Sequence, residues 1–147
     1  MHSGRTGRPD RVQPEDLNEI VRKRIASFGY AFQGWVYALR TQMNTWIHAT
    51  ITTAVTVVGI WVRLDVLEWA IIVLAIGAVW ALEFMNTAVE AIIDLVSPEP
   101  HPLAKVGKDV AAASVLVMAG AAAIVGFLIL GPPLIERLRP LLAALLN

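Results

Sequence analysis

The chain has 147 residues, 56% of them hydrophobic and only 16% charged, with a mean hydropathy of +0.61. An ordinary soluble domain is about 45–50% apolar and about 25% charged, so one water-soluble core this short cannot hide these side chains, and the composition is that of an integral membrane protein. Twelve basic residues balance twelve acidic ones, which excludes a bulk basic footprint for nucleic acid. The absence of cysteine excludes disulfide scaffolds, thiolate metal sites and thiol nucleophiles.

In chain order, residues 1–14 are polar and rich in Arg, Gly and Pro, with no apolar run. They read as a disordered tail rather than a secretory signal. Pro14, Glu15 and Asp16 mark a helix start, with acids where the helix dipole favours them. Over residues 15–44, Leu17, Ile20, Val21, Ile25, Phe28, Phe32, Trp35, Val36 and Leu39 fall mostly three or four apart, opposite Glu19, Arg22, Lys23, Arg24 and Arg40. That pattern predicts an amphipathic helix lying in the membrane interface, with Gly29 and Gly34 as candidate break points.

Three apolar segments follow, at about residues 45–64, 66–96 and 110–130, each long enough to cross a bilayer. Trp46, Trp61 and Trp69 sit near their ends, where interfacial anchors belong. Arg63, Asp65 and Glu68 form a polar turn between the first two. The loop 97–109 carries three prolines, which forbid a continuous helix through it, and Lys108–Asp109 reads as the opening of the third span. Pro132, Pro133 and Pro140 set residues 132–147 apart as a short C-terminal amphipathic segment rather than a fourth span. Nine Lys and Arg fall on the amino-terminal arm and the 97–109 loop, against Arg63, Arg137 and Arg139 on the other side. This asymmetry predicts a multi-pass cell-membrane protein with its amino terminus and the 97–109 loop in the cytoplasm.

The second span carries the chemistry. Glu83, Asn86, Glu90 and Asp94 share an arc of roughly 80° on a helix at about 100° per residue. A charge within a span costs at least about 2.5 kcal/mol on insertion scales. One reading is a solvated face beyond the membrane, which suits Asp94 but not Glu83 or Asn86 amid Phe84, Met85, Val89 and Ile93. The other is a cation or proton site at the inner membrane surface. Lys105, Lys108 and Asp109 arrive shortly afterwards, and acids facing a lysine and a helix start suit a metal–triphosphate. Neither GxxxxGK[ST] nor a kinase GxGxxG is present. His48 reads either as a polar residue at headgroup level or packed between helices, or as a contact to a lipid head or nucleotide.

The string Glu83-x-x-Asn86-Thr87-Ala88-Val89-Glu90-x-x-x-Asp94, then Glu99-Pro100-His101-Pro102-Leu103-Ala104-Lys105 and Lys108-Asp109, closely resembles the prokaryotic diacylglycerol kinase/undecaprenol kinase family. Ser27-Phe28-Gly29-Tyr30-Ala31-Phe32-x-Gly34 and Asn44-x-x-Ile47-His48 are similar to it as well. The resemblance runs from about residue 25 to 130, and the proline- and lysine-bearing loop looks more like the undecaprenol kinase branch. It implies an all-α membrane domain over residues 15–131: a homotrimer with three spans and an amphipathic surface helix per chain. It also implies transfer of the γ-phosphoryl of Mg-ATP to a lipid hydroxyl at the inner membrane surface. In that scheme Glu83 is the general base and Glu90 binds Mg²⁺. Asn86 and Asp94 order the site. Glu99, His101, Lys108 and Asp109 hold ATP, with Lys23 and Tyr30 reaching it from the surface helix. One position departs: where the family carries a second metal-binding Glu, this chain has Gln42, which offers one neutral oxygen to metal and nucleotide. That departure leaves a catalytically impaired paralogue as an alternative, beside a small ion- or proton-conducting oligomer.

Overall fold

The computed structural model describes residues 17–145, with side chains described through residue 140; the proposed tail at 1–14 and the start at Pro14 lie outside them. The described residues form four helices and no strand: α1 (Leu17–Thr41), α2 (Met43–Val62), α3 (Val66–Val96) and α4 (Pro102–Leu145). The last three are each long and apolar enough to cross a membrane. Residues 1–35 and 36–147 are separate compact units.

Helix α1 is uninterrupted through Gly29 and Gly34, so the expected break is absent. A glycine costs a helix interior only about 1 kcal/mol against alanine, and 25 residues absorb two. The helix ends at Thr41, not near 44, because Gln42 adopts an extended backbone (φ −111°, ψ 116°) and becomes the N-cap residue of α2.

In the second unit, α3 packs against both α2 and α4, and α2 touches α4. The α2–α3 hairpin turns tightly. Arg63 sits in the left-handed region (φ 64°); its N–H donates to the Ile60 carbonyl, and that of Leu64 to the Gly59 carbonyl. These bonds satisfy the last carbonyls of α2. Asp65 then caps α3: its carboxylate accepts from the Glu68 N–H at 2.9 Å, and Glu68 accepts from the Asp65 N–H at 2.8 Å. Gly59 is required by the close approach of Trp69, whose ring would lie 2.9 Å from an added Cβ. Val62, Leu64 and Ile72 form the buried cluster at this end, with Trp69, Ile129 and Leu134 packed on it. Elsewhere large side chains such as Leu74, Leu116 and Phe127 stand exposed, as expected where lipid or a second protomer is the solvent.

Two boundaries of α4 differ from the expectation. The helix opens at Pro102, not at Lys108–Asp109, because Pro98 and Pro100 confine the break to residues 97–101 while a proline fits the first helical position. Lys108 and Asp109 therefore lie in the second turn. The helix also runs through Pro132, Pro133 and Pro140 to Leu145, with no separate segment starting at 132. Proline is tolerated within membrane helices, where neighbouring groups and local adjustment satisfy the freed carbonyls. At about 1.5 Å per residue, α4 is about 66 Å long, roughly twice a bilayer core of about 30 Å.

Candidate active site

The acidic stripe of α3 meets a different partner at each level. Glu83 lies deepest and is 1% exposed. Its Oε1 accepts from the Thr45 hydroxyl at 3.5 Å, while Oε2 is buried with no hydrogen-bond partner and lies 3.7 Å from His48 Nε2. Thr45 and His48 are three apart on α2, so one face of that helix presents both to the same carboxylate. Asn86 and Thr87 are buried beside Glu83, and the Thr87 hydroxyl donates to the Glu83 carbonyl. A cleft of about 220 Å³ opens here, its polar lining Asn44, His48, Glu83 and Asn86.

Two turns further, about 10 Å along the axis, Glu90 is half-buried. Its Oε2 accepts from Gln42 Nε2 at 2.7 Å and its Oε1 from Asn86 Nδ2 at 3.2 Å. Gln42, extended at the start of α2, thus reaches across to α3. Asn86 Oδ1 is left buried without a partner.

At the end of α3, Asp94 is exposed and accepts a hydrogen bond from Lys108 Nζ on α4. Gly107 permits this approach of the two helices, since a Cβ there would lie 2.9 Å from Ile93 Cδ1. Lys105 pairs with Asp109 one turn on. His101 Nδ1 accepts from the Leu103 N–H at 3.2 Å and so caps the start of α4, and the Ser97 hydroxyl donates to the Glu99 carbonyl. Asp94, Glu99, His101, Lys105, Lys108 and Asp109 together line an open cavity of about 640 Å³.

Of the residues singled out from sequence, eleven thus lie on the α2–α3–α4 unit, on the acid stripe, facing it, or lining that cavity. Glu83 and Asn86 are too buried for a solvated face, a reading that fits Asp94. Among the described residues no three His, Asp or Glu side chains converge on one metal position. Lys23 and Tyr30 belong to the amino-terminal unit. There Lys23 forms an ion pair with Glu19 at 3.2 Å, and Tyr30 is exposed. The sequence reading missed Thr45 and did not connect His48 to Glu83. The signal was the hairpin: residues roughly equidistant from the turn at 63–65 face one another, as Trp80 and Thr52 also do through a 3.1 Å hydrogen bond.

Comparison with known proteins identifies the family. The chain is 44% identical over 123 residues to the undecaprenol kinase of Bacillus subtilis, covering 84% of this chain and all of that one. It is 40% identical over 119 residues to a diacylglycerol kinase of Synechocystis, covering 80% of this chain and 68% of that one. A more distant diacylglycerol kinase, from Escherichia coli K12, is 25% identical over 93 residues, 63% of this chain and 76% of the other. The family described as prokaryotic diacylglycerol kinase matches residues 29–130, which hold the whole acidic stripe and the loop after it, and the chain belongs to that family.

Proposed function

We propose that this protein uses ATP to phosphorylate the hydroxyl of a membrane lipid alcohol, a polyprenol or a diacylglycerol, at the inner membrane surface. The observation that carries the reading is Glu83: a carboxylate 1% exposed within a span, with one oxygen unengaged and a cleft beside it. From that cleft an apolar groove of about 410 Å³ leads away between α2, α3 and α4, sharing His48 and Ala119 with it. A hydroxyl on a long apolar chain fits this pairing, with its head at Glu83 and its chain along the groove.

In this reading Glu83 Oε2 accepts the hydroxyl proton as the oxygen attacks the γ-phosphorus. Asn86 holds Glu90 through its amide, and Asp94 holds Lys108 at the mouth of the polar cavity. There Glu99, His101, Lys108 and Asp109 face the nucleotide; the family resemblance adds Lys23 and Tyr30. The donor set suits Mg²⁺, which takes oxygen ligands, one or two carboxylates plus phosphates. Glu90 and Gln42 would hold it, and the orphaned Asn86 Oδ1 leaves a further buried oxygen beside them. When bound, the ion would neutralise charge on the transferring group. The reading includes a homotrimer with α1 on the membrane surface.

The test is purified protein in mixed micelles with radiolabelled ATP and each lipid alcohol in turn. Labelled lipid phosphate is expected, and the better substrate names the lipid. No incorporation into any lipid would favour the impaired-paralogue or ion-conducting readings. Orientation is tested in this cysteine-free background by single cysteines at Ser3 and Ser97. Neither is expected to react with an impermeant thiol reagent outside intact cells; labelling of either reverses the topology.

A further inference from the structure

We infer that His48 is a positioning residue for Glu83 and the group that takes over its proton. The inference rests on the kinase reading and concerns how the deepest acid of the site is kept usable. A carboxylate buried to 1% exposure cannot shed a proton directly to bulk water. The cleft beside it is lined by two ionisable side chains, Glu83 and His48. On the α4 side the lining, Ala112, Val115, Leu116 and Ala119, is apolar, and Asn44 and Asn86 do not titrate. The Glu83 oxygen without a hydrogen bond is the one that faces His48 Nε2 at 3.7 Å, while the other accepts from Thr45. Thr45 and His48 thus each face one of the two oxygens from one face of α2. Bringing Nε2 from 3.7 Å to hydrogen-bond distance takes less than about 1 Å of side-chain motion. The His48 side chain is 13% exposed and lines both the cleft and the apolar groove, so it stands where a lipid head enters.

The sequence of proton positions balances. As the lipid O–H bond breaks, its proton bonds to Glu83 Oε2. The oxygen's electron pair forms the new bond to the γ-phosphorus, and the bridging oxygen leaves with ADP. Glu83 then passes the proton to His48 Nε2, which is an acceptor when the ring proton sits on Nδ1. The result is an imidazolium beside a restored carboxylate, and the imidazolium gives its proton to solvent at its own 13% exposed edge. His48 acts through Glu83 and makes no bond to phosphorus or lipid oxygen.

Turnover of wild type, His48→Gln and His48→Ala, with ATP and lipid alcohol in mixed micelles, tests this, with the thermal melt and ATP affinity of each as the measure of folding. Glutamine keeps an amide N–H near Glu83 but accepts no proton. The expected result is a fall in kcat of about 10²-fold in His48→Gln, with the KM for ATP unchanged. Added imidazole should restore part of the rate of His48→Ala saturably, and none of the rate of Glu83→Gln. A kcat in His48→Gln close to wild type would overturn the proposal. So would a folded, ATP-binding His48→Ala that imidazole does not rescue. Absence of lipid phosphorylation in wild type would instead overturn the kinase reading, and the proposal with it.

Discussion

The two ends of the α2–α3 hairpin are built to opposite rules. At the turn, the polar groups that define it are engaged: Arg63 and Leu64 close the end of α2, Asp65 and Glu68 cap each other, and Val62, Leu64 and Ile72 fill the space beneath Trp69. At the other end, a buried Glu83 and a buried Asn86 each keep an oxygen with no partner, and hydrogen bonds from Gln42 and Thr45 reach across to α3. Burying an ion typically costs several kcal/mol even after relaxation. The turn end is therefore the part that holds the fold, and the Glu83 end is the part that lowers stability in exchange for reactive groups.

Changes at the turn should alter stability and leave turnover per folded molecule alone. Gly59→Val places branched carbons against the Trp69 ring and is expected to cost about 1–3 kcal/mol, read as a lower midpoint in denaturant titration of the micellar protein. An unchanged midpoint would mean that the hairpin is not held at this contact. At the opposite end, Gln42→Glu replaces an amide that donates to Glu90 by a second carboxylate. The metal-free protein should melt lower, because two carboxylates then face each other, and Mg²⁺ should raise its melting point more than it raises that of wild type. Half-saturation at several-fold lower Mg²⁺ is expected, with lipid preference unchanged. An equal or higher Mg²⁺ requirement would remove Gln42 from the metal's surroundings. The smallest effect is expected at Arg63→Gly, which removes a side chain from the left-handed region and should stabilise by about 1 kcal/mol; a lower midpoint would show that the Arg63 side chain contributes more than its backbone costs.

Much of this contrast was legible in the sequence. The ExxNTAxExxxD spacing puts the four polar residues on one face of α3, and span lengths plus the Arg63–Glu68 turn locate the hairpin. The partners were less legible. Which oxygen of Glu83 meets Thr45 and which faces His48 depends on the register of α2 against α3, and hydropathy does not encode register. The opening of α4 was misread because three prolines in a row of loop residues look like one long break, whereas the last of them begins the helix. Its far end was misread because the rule that proline stops a helix is calibrated in water. In a span, the apolar run from Ala119 to Leu130 carries the helix onward through Pro132 and Pro133.

The central claim is that Glu83 is buried for chemistry and not for the fold. Glu83→Gln keeps the shape and removes the charge, so lipid phosphorylation and thermal unfolding measured on one preparation separate the two roles. The account predicts a fall in turnover of about 10²–10⁴-fold, with a melting point equal to or above that of wild type. Turnover near the wild-type rate, or a protein that loses activity only because it no longer folds, would contradict it.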